Sequence, residues 1–358
     1  MAAENKLKDL REKIDTLDGQ ILRILNQRAE IVMEIARIKT EGGMNLYNPG
    51  REEEILHRLS EQNSGPFPGL AIPLVFREII SACRSLEGDL TVAYLGPPAT
   101  YTHLACLERF GRSVQTMPRE SIQEVFEEVE KEKAGFGVVP IENSTEGVVG
   151  RTLDMFIDSE VKICGEILIR ISHDLLSRSG KMEGIEKIYS HPQALAQCRQ
   201  WLRKNLPQVL LVEAVSTAKA AQMAAEDPSV AAIASSFAAQ LYHLKVIESR
   251  IEDYIHNYTR FLVLRRQMAN RTGKDKTSLL FSIADSPGSL YQVLKPFSAE
   301  AINLTKIESR PIKDKPWEYV FFLDFEGHAS DPKIQEAVGE LKKNVIFVKL
   351  LGSYPRSS

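Results

Sequence analysis

The run Val139 to Gly147, VPIENSTEG, joins an apolar stretch to a cluster of amide, hydroxyl and carboxyl side chains. Gly135 to Pro140 predicts a buried strand that ends at Pro140, and Val148, Leu153 and Phe156 predict a helix beyond it. Donors delivered to a helix N-terminus suit an anion, because unpaired N–H groups and the helix dipole point at it. Ser144 or Thr145 acting only as a helix cap is the plainer alternative. Four more junctions repeat the pattern. Strand Thr91–Gly96 leads to Thr100 and Thr102, and Lys187–Tyr189 to Ser190, His191 and Gln193. Val212–Val215 leads to Ser216 and Thr217, and Ala231–Ala234 to Ser235 and Ser236. Strand ends that gather hydroxyls in this way line a cleft in an α/β fold, and its expected ligand is small, polar and anionic.

A second set of candidates lies on helices. Leu10, Ile14, Leu17, Ile21, Leu25, Val32, Ile35 and Ile38 recur at helical spacing, with no proline between Lys6 and Glu41 and Gly42-Gly43 as a stop. Such a helix is on the order of 50 Å long, too long for the core of a small domain by itself. Asn48-Pro49 opens a second helix, NSGPFPG (63–69) breaks it, and a third runs from about Leu74 to Glu87. On the first helix Arg28 and Lys39 lie within about 20° of each other, while Arg11 is turned by about 100° and lies roughly 25 Å from Arg28. One helix cannot aim all three at one small ligand, but an entwined pair of chains can. A solvated basic face is the plainer reading of these charges, and Glu52 could simply favour the helix dipole.

The chain has 358 residues, 43% hydrophobic and 26% charged, which predicts two or three domains of an ordinary soluble protein. A net charge of −3 gives no general attraction to nucleic acid or an anionic membrane. Neither a secretory signal nor an apolar run of membrane-spanning length is present, so a cytoplasmic location is expected. The four cysteines form no CxxC pair and the seven histidines no HExxH or HxH, so neither a disulfide framework nor a metal is expected. After the polar stretch Ala269–Lys276, the order of strands and helices is βαββαβ, the ferredoxin-like pattern. The expected layout is multidomain: an all-α three-helix segment (1–90), a two-lobed α/β segment (91–268) and an α+β ferredoxin-like segment (277–358).

Each segment resembles a known family. The spacing of Arg11, Arg28, Lys39 and Arg51-Glu52 on three helices is similar to the all-helical chorismate mutases. The resemblance implies that these residues, with Asn48, Cys83 and Glu87, bind the carboxylates and the ether and hydroxyl oxygens of chorismate during its rearrangement to prephenate. Asn48, Cys83 and Glu87 stand where that family often has Asp, Ser and Gln. A carboxylate donates to an ether oxygen only when protonated, so Glu87 predicts a mutase activity that declines as pH rises.

VPIENSTEG, YSHPQALAQC and NYTRFLVL together resemble the prephenate dehydratases. That match implies Thr259 as the catalytic hydroxyl, Arg260 and Phe261 beside it, and Asn143, Ser190, Gln197 and Thr100 at the active site. A structural ion pair is the alternative for Arg260, and a helix start the alternative for His191. Ala99 stands where the family usually has glycine. The third segment, with Gly288-Ser289-Leu290 and Glu308-Ser309-Arg310-Pro311, looks like an ACT domain, which implies phenylalanine bound between paired subunits. In this order the three resemble the bifunctional chorismate mutase/prephenate dehydratases (P-proteins) with a C-terminal ACT domain. That family implies conversion of chorismate to prephenate and then to phenylpyruvate, CO₂ and water, without cofactor, under phenylalanine inhibition, as a homodimer or higher homo-oligomer. Two alternatives are a chain whose helical segment serves only dimerisation and a two-lobed binding protein without catalysis.

Overall fold

The computed structural model describes residues 2–42, 49–88, 90–311 and 319–357. The chain divides into two compact units, residues 1–90 with 110–115, and 91–109 with 116–358. Among the described residues no helix is long and apolar enough to cross a membrane.

The first unit holds helices Ala2–Glu41, Pro49–Gln62 and Ala71–Arg84. The 40-residue first helix runs without a break until Gly42, whose N–H bonds the carbonyl of Ile38. Its apolar stripe is not covered among the described residues. Leu10, Ile14, Leu17, Ile21, Ile24, Ile31, Ile35 and Ile38 are each exposed, and Ala36 is a rare buried position on it. The third helix buries Ile72, Ile80, Ser81, Cys83 and Arg84.

The second unit begins with two lobes. One sheet has the order Gln115–Arg119, Thr91–Leu95, Phe136–Asn143, Tyr258–Arg265, Lys162–Arg170. The other has the order Lys245–Glu248, Asp174–Ser177, Val230–Ala234, Lys187–Ser190, Leu210–Glu213. The chain crosses between them twice, through residues 171–173 and 249–257. Backbone bonds tie the two crossings together, from Ile171 N–H to the Asn257 carbonyl and from Ile251 N–H to the His173 carbonyl. Ser216, Ser235 and His191 cap their helices through the N–H groups of Lys219, Ala238 and Gln193. At these strand ends two hydroxyls and one imidazole thus do what capping requires.

The first junction departs from its expected form. The strand does not stop at Pro140 but runs to Asn143, because Pro140 lies opposite Phe261 at a register shift where its missing N–H interrupts little. The following helix is Gly150–Asp158, five residues beyond Thr145, and its cap residue Val149 offers no side-chain bond. Neither Ser144 nor Thr145 therefore sits at a helix N-terminus.

A four-stranded sheet follows, in the order Leu304–Pro311, Tyr319–Glu326, Asp275–Ser282, Phe347–Pro355. One face packs on helices Ser289–Ala299 and Pro332–Lys342 through Leu279, Phe281, Val293, Phe297, Leu323 and Ile334. The other shares a core with the first lobe, where Leu280, Phe322, Leu351 and Tyr354 meet Phe156 and Ile163. The alternation of strand side chains gives each face its own partner. The α/β and α+β segments accordingly form one compact unit rather than two.

Candidate active sites and effector site

Between the two lobes lies a cleft of about 330 Å³. Thr100, Asn143, Gln197, Thr259 and Phe261 line it, together with His173, Tyr101 and Asn257. Thr259 and Asn143 are register partners on neighbouring antiparallel strands, which brings their side chains together. Asn143 Oδ1 accepts from the backbone N–H groups of Thr145 and Glu146 at 3.0 and 3.1 Å. Those donors fix the orientation of the amide. Its Nδ2 then donates to Thr259 Oγ1 at 2.8 Å and to Asn257 Oδ1 at 2.7 Å. Asn257 Nδ2 donates to Gln197 Oε1 at 3.1 Å, and His173 Nε2 lies 2.9 Å from the same oxygen. With its oxygen engaged by Asn143, Thr259 has its hydroxyl hydrogen left to donate.

Burial lowers the pKa of His173, against the opposing pull of Gln197, Glu252 and Asp174, so the ring favours its neutral form. Thr100 caps the next helix through His103 N–H at 3.3 Å and donates to the Pro97 carbonyl at 3.0 Å. Ala99 holds φ +68°, a left-handed conformation that a glycine would adopt without strain. His191 lines the cleft as well as capping its helix.

Two residues expected here are placed elsewhere. Ser190 is fully buried, and its hydroxyl donates to the Ile233 carbonyl at 2.6 Å, stitching neighbouring strands. Arg260 is in an ion-pair cluster, because a strand sends successive side chains to opposite faces and Thr259 takes the cleft side. Its Nε lies 2.7 Å from Glu166 Oε2 and its Nη1 2.7 Å from Asp324 Oδ2, and Nη2 donates to Tyr354 Oη at 3.0 Å. Lys276 also pairs with Glu166, at 2.9 Å, and Lys306 pairs with Glu142. Burial alone would raise the pKa of Glu166, but Arg260 and Lys276 outweigh it and hold the carboxyl below the usual range. Asp324, Tyr354, Lys276 and Lys306 all belong to the C-terminal sheet, so Arg260 joins that sheet to the strand carrying Thr259.

In the helical unit, Glu87 is half-buried just beyond the third helix. Burial raises its pKa, opposed by Lys39, Arg84 and Arg28 and assisted by Glu52. Those five residues therefore share one neighbourhood. Arg84 Nη1 bonds Glu52 Oε1 at 2.7 Å, and Arg28 has a buried Nη1 without a hydrogen-bond partner among the described residues. A buried guanidinium nitrogen with no partner is costly unless an anion arrives to satisfy it. Cys83 is buried in the last turn of the third helix. Arg11 and Arg51 are exposed, and Arg51 pairs with Glu54 at 3.0 Å. Asn48 lies outside the described residues. Sequence reasoning passed over Arg84, although its place three residues before Glu87 could have marked it.

In the C-terminal sheet region, Asp285, Gly288, Ser289, Leu290, Tyr319 and Phe321 line a cavity of about 190 Å³. Gly288, at φ +83°, opens the helix that starts with Ser289. Glu308, Ser309, Arg310 and Pro311 lie on the first edge strand and do not line that cavity. Arg310 instead lies 3.4 Å from Asp154 and packs so closely on Gly150 that a Cβ there would meet its Nη2 at 2.5 Å. Its Nε is buried without a hydrogen-bond partner among the described residues.

Three family descriptions match in sequence: chorismate mutase type II over residues 10–88, prephenate dehydratase over 92–269 and the ACT domain over 277–343. A bifunctional chorismate mutase/prephenate dehydratase from Aquifex aeolicus is 51% identical over 356 residues, covering 98% of each chain. One from Pseudomonas aeruginosa is 43% identical over 363 residues, covering 100% of each. Among solved structures, a prephenate dehydratase from Arthrobacter aurescens in complex with L-Phe is 35% identical with a TM-score of 0.69, covering 75% of this chain and 90% of its own. Matched from end to end by relatives carrying all three parts, this chain belongs to the bifunctional chorismate mutase/prephenate dehydratases.

Proposed function

We propose that prephenate is dehydrated in the cleft between the lobes, with Thr259 directing its hydroxyl hydrogen at the leaving group. As a member of its family the protein converts chorismate to prephenate, and prephenate to phenylpyruvate, CO₂ and water, with phenylalanine as feedback inhibitor. The carrying observation is the bond from Asn143 Nδ2 to Thr259 Oγ1 at 2.8 Å. In the reaction the bond from ring to carboxylate breaks, and its electron pair enters the ring and expels the hydroxyl. That hydroxyl takes up a proton and leaves as water. A threonine already accepting from an amide is polarised to donate. Phe261 supplies an apolar wall, and Gln197 and Thr100 supply polar groups for the anionic substrate.

For the mutase step, Arg28 and Lys39 would hold the carboxylates of chorismate, and protonated Glu87 would donate to the ether oxygen as its bond breaks. Arg11 would reach the site of a second copy, and the exposed stripe of the long helix supports pairing into a homodimer or larger homo-oligomer. Arg51, Glu52, Cys83 and Asn48 would complete that site, while Gly288 to Leu290 and Glu308 to Pro311 would bind phenylalanine where subunits meet. A cytoplasmic location would suit this biosynthetic role.

The test is phenylpyruvate formation from chorismate in buffer alone. Thr259→Ala should lose about 10²- to 10⁴-fold in dehydratase kcat and accumulate prephenate. If that variant still forms phenylpyruvate at the wild-type rate, the role given to Thr259 fails.

A further inference from the structure

His173 stands in the first crossing between the lobes, at the far end of the hydrogen-bond chain from Thr259. It is 3% exposed and lines the cleft. Its main chain is anchored on both sides: its N–H donates to Glu252 Oε2 at 2.9 Å, and its carbonyl accepts from Ile251 N–H at 2.8 Å. Tyr101 meets the ring edge-on, with centroids 6.4 Å apart at 77°.

The direction of each bond in the chain follows from the pinned end. Backbone donors hold Asn143 with Oδ1 toward Thr145 and Glu146, so its Nδ2 faces Asn257 Oδ1. Asn257 must then turn Nδ2 to Gln197, whose Oε1 accepts it. The same Oε1 faces His173 Nε2, which can bond it only by donating. The neutral ring is therefore protonated at Nε2 and bare at Nδ1, and Nδ1 is indeed buried with no hydrogen-bond partner among the described residues. With Oε1 engaged twice, Gln197 turns its NH₂ away from the chain. Its hydrogen bond there is long, 3.4 Å to Thr145 Oγ1.

We infer that His173 is a positioning residue of the dehydratase, which by donating from Nε2 locks Gln197 with its amide N–H groups toward an anionic substrate. In the other tautomer, a bare Nε2 would draw the Gln197 NH₂ toward itself. Oε1 would then face a substrate carrying two carboxylates, and the NH₂ groups of Gln197 and Asn257 would oppose each other. Both ends of the chain thus agree. Backbone N–H groups set Asn143 and hence Thr259, and His173 sets Gln197. What remains for the substrate is the Thr259 hydroxyl hydrogen and the Gln197 amide, both donors. This rests on dehydration taking place in the cleft. Failure of that reading would show as wild-type turnover of prephenate by Thr259→Ala, whereas failure of the present inference leaves the loss in Thr259→Ala intact.

The experiment is steady-state kinetics on prephenate with the full chain, combined with ring tautomer assignment by ¹⁵N-histidine NMR. His173→Leu should lower kcat/KM by about tenfold to a hundredfold, the worth of a hydrogen bond to a charged group. His173→Gln, whose amide nitrogen can take the place of Nε2, should recover most of that loss, and the shorter His173→Asn should not. In a Gln197→Ala background, His173→Leu should cost nothing further, because its effect runs through Gln197. Independent, multiplying losses would overturn the inference, and so would equal activities of the Leu and Gln variants. If His173→Leu does not fold, the wild-type spectrum decides. The signal lost in His173→Gln must show protonated Nε2 and bare Nδ1, and the opposite tautomer refutes the assignment.

Discussion

A carboxyl that donates a hydrogen bond has to carry its proton, and burial moves Glu87 in that direction. Burial raises its pKa while Lys39, Arg84 and Arg28 pull it back down. Chorismate would bring two carboxylates beside those cations, neutralising them and pushing Glu87 further up. The donor is present below the raised pKa and lost above it, so mutase kcat/KM should fall as pH rises through that value. Glu87→Gln replaces the titrating donor by a permanent one and should flatten the profile on the alkaline side. Initial rates of chorismate loss across pH in both proteins check this, and an unchanged slope removes Glu87 from the mechanism. The glutamate itself was legible in the sequence as a donor needing a proton. Arg84 was not, because a lone arginine on a helix has the appearance of surface charge until its partner Glu52 is known.

At the scale of the element, the strand Tyr258–Arg265 carries two roles on two faces. Thr259 belongs to the cleft, and Arg260 holds the C-terminal sheet through Glu166, Asp324 and Tyr354. Removing one partner of a buried ion cluster leaves uncompensated charge and typically costs about 3–5 kcal/mol. Arg260→Met should therefore lower the unfolding free energy near neutral pH by about that amount. The sign with pH follows from Glu166. In the wild type its depressed pKa contributes stability above the ordinary carboxyl pKa, lost as pH falls through the depressed value. In the variant that contribution shrinks, so the deficit against wild type should narrow on acidification. Denaturant titrations at neutral and acid pH measure both numbers, and a constant deficit would place the cost outside the ion cluster. A motif quoted as Thr-Arg-Phe names three neighbours without saying which share a face, and that is why Arg260 reads as an active-site residue from sequence. Capping hydroxyls at Ser216 and Ser235 were readable because local rules suffice for them. Ser190 was misplaced by the same logic, since its partner carbonyl at Ile233 is 43 residues away. His173 carried no signal, sitting in an irregular crossing with no period to place it.

For the molecule as a whole, the long first helix poses a question of partners. Ile14 and Ile21 are each 56% exposed and Ile24 61%, one above another along a helix with no proline. A stripe of that length on a stable protein calls for a cover, and a second copy presents the matching stripe. If Arg11 of one chain completes a site containing Arg28 of the other, each mutase site needs two chains. Arg11→Ala and Arg28→Ala should each abolish mutase activity as single proteins. Coexpressed in equal amounts as dimers, half the pairs would be mixed, and each mixed pair would hold one intact site and one lacking both arginines. Mutase activity should therefore return to about a quarter of wild type, which random pairing of a two-fold assembly requires. Dehydratase activity should stay near wild type throughout, because both substitutions lie in the helical unit. No recovery on coexpression, with mixed pairs demonstrated by differential tagging, would mean that each mutase site is built from a single chain.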